Sequence, residues 1–173
     1  SAIVVSLELG LSIDKIKSGL LAFQGSKRRL EYIGELQSGA FVYDDYAHHP
    51  TEIQKTLQAL RKQFPKKKII VIFQPHTFSR TKKLLEEFST SFKEIDLVIL
   101  TDIYASLREA ADDTISSRIL TEKISGKNKD AIYLSQLSDV VKYINENRLR
   151  SDTVLVTMGA GDVYKIHSEL KFA

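Results

Sequence analysis

The sequence has 173 residues, of which 43% are hydrophobic and 27% charged, and its formal net charge is +3. This length and composition are typical of one folded domain with a short appendage, and they exclude a disordered chain and a multidomain enzyme. No apolar run is long enough to cross a bilayer, so we predict no membrane partner. The sequence contains no cysteine, which excludes disulfides, thiolate metal sites and cysteine nucleophiles and fits a cytoplasmic protein.

The chain opens with SAIVVSLELG, which has neither a start methionine nor a basic leader and reads as the interior of a longer protein. Residues 11–23 place apolar side chains at helical spacing behind a Ser12 cap, and Gly25 is the predicted stop. RLEYIGEL and GAFVYDDY are apolar and partly alternating, and QSG separates them. They predict a pair of antiparallel strands at the N-terminal edge of a sheet.

The rest of the chain alternates helices and strands. PTEIQKTLQALRKQF predicts a helix from Pro50, and KIIVIF (68–73) predicts a strand covered on both faces. A helix follows that is expected to bury Leu84, Leu85, Phe88 and Phe92. Further strands are predicted at 96–100, 131–134 and 153–157, and further helices at 114–125, at 136–148 and from about 162. This order predicts a Rossmann-like α/β fold, with a mostly parallel sheet and helices on both faces.

A basic run, RKQFPKKK, occupies residues 61–68. Such a run is most often a solvated helix end, and nucleic-acid binding would call for interleaved exposed aromatic residues or a known motif. The sequence has neither, so we predict no nucleic-acid partner.

Four polar segments, DDYAHHP, QPHTFSR, TDIYAS and MGAGD, each follow a predicted strand. Because the carboxyl ends of parallel strands meet at one edge of the sheet, these segments are expected to form one site. His48, His49 and His76 would converge there. Adjacent histidines point apart, however, and no spaced acid or cysteine completes a familiar ligand set, so we predict no metal site.

The acids and histidines also have structural explanations. Asp44 or Asp45 could cap the helix that follows, although one acid is enough for a cap. His48 and His49 could be ordinary helix-entry residues.

The glycines and the arginine of these segments are open to two interpretations as well. Gly159 and Gly161 would let the backbone approach an anion bound on free N–H groups, or they could form an ordinary tight turn. Arg80 could pair with a carboxylate or phosphate, or lie solvated at a helix start.

DDYAHHPTE, FQPHTFSRT and GAGDVYK, preceded by FQGSKRRLE, resemble the Mur ligase family over essentially the whole chain, in particular its branch that joins L-alanine to UDP-N-acetylmuramate. The resemblance implies that residues 1–35 are the tail of a central ATPase domain and that 36–173 form a C-terminal Rossmann-like ligase domain. It also implies ATP and Mg2+ as cofactors, and a carboxylate activated as an acyl phosphate that the alanine amine attacks. G-x-x-x-x-G-K-[ST] is absent, so the phosphate and metal sites are expected outside this chain, which alone is expected to be inactive.

The resemblance implies roles for individual residues on the nucleotide side of the site. Arg29 and Asp45 resemble residues that hold the nucleotide, with Asp45 on the ribose hydroxyls. His48 would face the reacting phosphate end and is the predicted catalytic residue.

The resemblance likewise implies an alanine pocket. His76 and Arg80 resemble the residues that bind the alanine carboxylate, Tyr46 would form a wall, and Gly161 would line the substrate side. Many relatives carry arginine where this chain has Thr77, so one carboxylate contact is expected to be missing or replaced.

Three other functions remain open. A murein-peptide ligase of the same family shares HHP, but its second loop does not read FQPHTFSR. A phosphoacceptor receiver domain also has paired acids after its first strand and another acid at the position of Asp102, but it needs a lysine where this chain has GAGD. The third is a bare nucleotide-binding or interaction module.

Overall fold

The fold is a six-stranded sheet with helices, seen in a computed structural model that describes residues 2–23, 25–106, 109–127, 129–147 and 149–173. The strands are β1 (Glu31–Glu35), β2 (Phe41–Asp45), β3 (Lys68–Phe73), β4 (Leu97–Leu100), β5 (Ala131–Tyr133) and β6 (Thr153–Met158). The helices are α1 (Ala2–Glu8), α2 (Ile13–Ala22), α3 (Pro50–Gln63), α4 (Phe78–Lys83), α5 (Leu85–Ser89), α6 (Ser117–Ser125) and α7 (Leu137–Glu146), and a 3-10 helix spans Val163–Glu169.

The strand order confirms the predicted α/β fold. The sheet runs β1-β2-β6-β3-β4-β5, with β1 antiparallel to β2 and every other neighbouring pair parallel. Strand β6 is inserted between β2 and β3, so the chain crosses over it on the way from β2 to β3. The carboxyl ends of these three strands therefore lie side by side, at the kind of position where open α/β sheets bind ligands.

The hydrophobic core occupies both faces of the sheet. Along β3, Ile69, Val71 and Phe73 join one buried cluster, while Ile70 and Ile72 join the other. Alternate side chains of a strand point to opposite faces. The unbroken apolar run of β3 therefore results from burial on both sides, as the sequence predicted.

Two helical segments differ from the prediction. The helix expected after β3 is divided at Leu84, whose φ of −110° and ψ of 25° end α4 and begin α5. Phe88 and Phe92 are fully buried as expected, whereas Leu84 and Leu85 are only partly buried. The last helix is a 3-10 helix, and α1 was not predicted at all.

The N-terminal helices bury no side chain. Ser12 caps α2 as predicted, by accepting a hydrogen bond from the Lys15 N–H at 3.4 Å. Leu9, Ile13 and Leu21 are each 74 to 77% exposed. The boundary near residue 35 between two domains stays a prediction, and β1 on its N-terminal side belongs to the same sheet as β2. No helix in the described ranges is long and apolar enough to span a membrane.

An ion pair closes the amino end of the sheet. Arg61 Nη2 donates to Asp96 Oδ2 at 2.7 Å, and its other nitrogens donate to the carbonyls of Glu94 and Lys67. Burial opposes ionisation of Asp96, but the Ile69 N–H and the Arg61 guanidinium outweigh it and hold the pKa of Asp96 below its ordinary 3.8.

This shifted pKa predicts a pH-dependent contribution to stability. A carboxyl whose folded-state pKa is depressed stabilises the fold above its unfolded pKa and loses that contribution as the pH falls through the folded value. The gap in unfolding free energy between the wild type and Asp96→Asn should therefore be widest at neutral pH and narrow below 3.8. Urea unfolding at a series of pH values measures it. Asp113→Asn, which changes an exposed carboxylate, is the control, and a constant gap for Asp96→Asn would contradict the assignment.

Candidate functional site

The four polar segments meet at the carboxyl edge of the sheet, which we call the rim: the loops after β2, β3, β4 and β6. The His48 and His76 rings lie 6.1 Å apart, which brings the loops after β2 and β3 together. The His76 ring stacks on Tyr104 of the loop after β4, with ring centroids 5.6 Å apart. The clustering predicted from the alternation of elements is thus present in the fold.

His48 is held in one tautomer by its own loop. Its Nδ1 lies 2.9 Å from the Tyr46 carbonyl oxygen, and because a carbonyl only accepts, Nδ1 carries the hydrogen in this contact. Glu52 Oε2 accepts the His48 N–H at 3.1 Å and lies 3.6 Å from Nδ1. A neutral His48 therefore has its Nε2 lone pair as a proton acceptor.

His49 has the structural role that was considered for the acids. Its ring accepts the Thr51 N–H at 3.3 Å, and Glu52 accepts the His49 N–H at 3.2 Å, so the two side chains form a capping box at the start of α3. Neither Asp44 nor Asp45 caps this helix. That structural explanation of the two acids is wrong, because both side chains are buried and bonded elsewhere.

Asp45 is 5% exposed and accepts two backbone N–H groups. Oδ1 takes the hydrogen of Ala47 and Oδ2 that of Leu30, each at 2.7 Å. Burial raises the pKa of Asp45, while these two N–H groups pull it down. Its visible function is to fasten residue 30 to the end of β2, and its contact with a ribose stays a prediction.

Asp44 belongs to a buried polar chain that crosses from β2 to β6. Its Oδ1 accepts from the Thr157 hydroxyl at 2.6 Å, and the same Thr157 oxygen lies 2.8 Å from His167 Nε2. Its Oδ2 accepts from Arg28 Nε at 2.8 Å. The side chain of Asp44 is 2% exposed, so the guanidinium neutralises a carboxylate that water does not reach.

His76 and Arg80 form a second polar group. His76 precedes α4, and Arg80 lies in its first turn. Arg80 Nη1 donates to the His76 carbonyl at 2.9 Å and lies 3.5 Å from His76 Nδ1. Burial, and then the positive charge of Arg80, hold the pKa of His76 below its ordinary 6.5, which favours the neutral ring at pH 7. Arg80 is therefore the fixed cation beside a neutral imidazole.

The start of α4, which carries Arg80, is held from another loop. Glu109 accepts the Phe78 N–H at 2.7 Å and the Ser79 N–H at 3.0 Å. Thr77, the N-cap residue, makes no capping hydrogen bond with its side chain. Glu109 thus satisfies donors that Thr77 leaves open.

Arg29 and Tyr46 lie together on the exposed side of the rim. The Arg29 guanidinium carbon is 5.6 Å from the centre of the Tyr46 ring, and Arg28 lies over the same ring at 5.1 Å. Arg29 is exposed, and Tyr46 is 36% exposed. Both side chains are accessible to a ligand, as their predicted roles require.

Gln74 occupies the position after Gly159 and Gly161 where the sequence suggested an anion. Its Oε1 accepts the N–H groups of Asp162 at 2.8 Å and Val163 at 3.1 Å, and its Nε2 donates to Asp162 Oδ1 at 2.9 Å. The hypothesis that these N–H groups are free for an anion is wrong, because a side-chain amide already occupies them.

The glycines of MGAGD make room for this amide. A Cβ on Gly161 would lie 2.3 Å from Gln74 Oε1 and 2.7 Å from the Tyr104 ring, and one on Gly159 would lie 2.6 Å from the Gln74 carbonyl oxygen. Gly159 also has a φ of +145°. These close approaches explain both glycines, and a contact between Gly161 and substrate stays a prediction.

Sequence reasoning missed Arg28, Gln74 and Glu109. Each acts by bonding backbone or a buried acid on a loop distant in sequence, and no spacing reveals such a partner. Gln74 had one usable signal in the sequence, since it is a polar residue that directly follows an apolar strand.

The acids of the rim are not arranged as a phosphoacceptor pocket. Asp102 bonds the Tyr133 hydroxyl, whereas Asp44 and Asp45 have the partners given above. Among the residues that the structure describes, no three His, Asp or Glu side chains cluster closely enough to hold a metal ion. The geometry therefore offers no support for a receiver domain.

The family profile "Mur ligase, glutamate ligase domain" matches residues 28–161. Curated relatives include the UDP-N-acetylmuramate–L-alanine ligases of Desulfitobacterium hafniense, 45% identical over 98% of this chain and 37% of the relative, and of Acetivibrio thermocellus, 48% identical over 96% and 34%. The chain thus spans about a third of the length of these relatives.

A solved UDP-N-acetylmuramate–alanine ligase from Thermotoga maritima superimposes with a TM-score of 0.78 at 27% identity, covering 96% of this chain and 34% of that one. A murein peptide ligase from Psychrobacter arcticus matches with a TM-score of 0.69 at 24% identity, over 97% of this chain and 34% of that chain, which is evidence for the fold alone. Since the family profile covers most of the sequence and the alanine ligases align along nearly all of it, this chain belongs to the Mur ligase family.

Proposed function

We propose that the chain is the C-terminal domain of an ATP-dependent ligase that joins L-alanine to UDP-N-acetylmuramate in the synthesis of peptidoglycan precursors in the cytoplasm. The observation that carries the proposal is the near-complete alignment with relatives that bear this name. The geometry of the rim supports it. The cation Arg80, the imidazole of His76 and His48, which is held in one tautomer, lie close together after β2 and β3.

In this proposal Arg80 binds the alanine carboxylate. One guanidinium nitrogen is used by the His76 carbonyl, and within the described part of the chain Nε and Nη2 make no hydrogen bond. A guanidinium can offer two parallel N–H groups to a carboxylate. His76, being neutral, adds a hydrogen bond without a second charge, and Tyr46 walls the same space.

His48 acts on the amine in this proposal. An alanine ammonium group must lose a proton before its nitrogen can attack the activated carboxyl group of the sugar nucleotide. Since Nδ1 of His48 donates to the Tyr46 carbonyl, Nε2 is the nitrogen that can accept that proton. The C–N bond then forms as phosphate leaves the acyl carbon.

The nucleotide meets this domain at its sugar or base rather than at its phosphates. Gln74 already accepts the N–H groups of Asp162 and Val163, so these two groups are not free to bind a phosphate. Arg29 is exposed and fits an anionic or hydroxyl-rich ligand. The described residues include no cluster of acids or histidines that fits a magnesium site. In this proposal, Mg2+ therefore binds to the part of the complete ligase that this chain does not include.

The proposal is tested by the choice of amino acceptor. A complete ligase carrying this domain is supplied with ATP, Mg2+ and UDP-N-acetylmuramate, and either L-alanine or the cell-wall tripeptide is added. Product formed with alanine supports the proposal. Product formed only with the tripeptide would instead show a murein-peptide ligase.

Arg80→Ala should weaken alanine binding in this enzyme. Removing one partner of a desolvated charged pair costs about 2 to 5 kcal/mol, which raises the alanine KM by about 30-fold or more. Arg80→Lys should recover only part of the loss, since lysine keeps the charge but not the planar two-point contact. Initial rates with alanine varied at saturating ATP and sugar nucleotide give the constants.

Lys83→Ala is the matched control, because Lys83 is an exposed cation on the same helix. It should leave the alanine KM unchanged. An Arg80→Ala enzyme with the wild-type constant would show that the carboxylate binds elsewhere.

His48→Ala should lower kcat by about 100-fold or more, the usual contribution of a positioned general base. His49→Ala is the neighbouring control, and it should cost about 1 kcal/mol of stability through loss of the α3 cap while kcat is retained. Turnover assays combined with thermal melts separate the two effects. Equal losses of kcat in both variants would mean that His48 acts only through the fold.

A further inference from the structure

We propose that Arg28 is a positioning residue for the nucleotide: it clamps the connecting segment, residues 25–30, to the rim and thereby sets the places of Arg29 and Tyr46. The expected effect on the ATP KM rests on the proposed function. The clamp itself can be measured by hydrogen exchange, which does not require an active enzyme.

The Arg28 side chain joins the end of β2 to the loop after β6. Nε donates to the buried Asp44 at the end of β2, while Nη2 donates to the Gly159 carbonyl at 2.6 Å and Nη1 to the Gly161 carbonyl at 3.3 Å. Three hydrogen bonds, one of them also a salt bridge, thus connect one guanidinium to β2 and to the loop after β6. Lysine, with one charged nitrogen on a flexible stem, cannot make this set.

The same guanidinium organises aromatic side chains. It lies 5.1 Å from the centre of the Tyr46 ring and 4.6 Å from that of Tyr164. Tyr46 has Arg28 and Arg29 within cation–π distance of its ring. The orientation of Tyr46, and with it the neighbourhood of Arg29, therefore depends on Arg28.

The backbone of the connecting segment is held in a conformation that it would not adopt unaided. Arg28 and Leu30 have φ values of 56° and 48°, a left-handed region that is unfavourable for a non-glycine residue. The Tyr46 N–H donates to the Arg28 carbonyl at 2.7 Å, and the Leu30 N–H donates to Asp45. Arg29 lies between these two anchors, so its Cα is fixed on both sides.

Arg61 provides a matched comparison within the same chain. It also pairs a guanidinium with one carboxylate and with backbone carbonyls, but at the amino end of the sheet. Loss of either arginine removes a similar number of bonds. A purely structural role predicts the same consequences for both, while a positioning role predicts different ones.

The experiment compares Arg28→Lys with Arg61→Lys in a complete ligase carrying this domain. We expect both to lower the melting temperature, but Arg28→Lys alone to raise the ATP KM, by about 10- to 100-fold. Equal ATP constants in the two variants would overturn the proposal.

Hydrogen exchange supplies a readout that is independent of catalysis. The amides of Leu30 and Tyr46 should exchange faster in Arg28→Lys than in the wild type, and at the wild-type rate in Arg61→Lys. Unchanged exchange in Arg28→Lys would overturn the clamp. If the wild-type ligase does not use alanine, the proposed function fails, and the exchange measurement still decides on Arg28.

Discussion

The arrangement of the rim depends on one side-chain amide, that of Gln74. It follows β3 directly and satisfies two N–H groups and one carboxylate oxygen of the loop after β6. The amide fits only because Gly159 and Gly161 have no Cβ, as the close distances at both positions show. The loop that carries His76 is therefore held against the loop after β6, and the glycines of that loop make room for this packing contact.

Arg28 extends this connection to the end of β2, so that Asp44, Gln74 and the loop after β6 form one continuous polar assembly. Its polar groups point inward and bond one another. The groups left at the surface, Tyr46, Arg29 and part of the Arg80 guanidinium, are those suited to ligands. In the proposed function, this domain would supply contacts to the amino acid and the nucleotide, while the rest of the enzyme would bind the phosphates and the metal.

Much of the fold was predictable from local pattern. The period-2 and period-3.6 apolar runs, Ser12 and Pro50 indicated elements close to those observed, and their alternation predicted where the polar segments would meet. The site was predictable as a set of segments but not as contacts. Adjacent residues have different roles. The His48 ring bonds the carbonyl of Tyr46 in its own loop, whereas the His49 ring caps α3. Asp44 is salt-bridged to Arg28, whereas Asp45 accepts backbone N–H groups. Such differences are decided by partners distant in the chain, which no local spacing records.

The central claim is that the loops after β2 and β3 form the alanine site. It is tested most directly by a crystal structure of a complete ligase carrying this domain, with L-alanine and a non-hydrolysable ATP analogue bound. The account predicts the alanine carboxylate within hydrogen-bond distance of the Arg80 guanidinium, with its amine on the side of His48. Alanine bound away from both loops, with the Arg80 guanidinium still bonded to the His76 carbonyl and not to the alanine carboxylate, would contradict it.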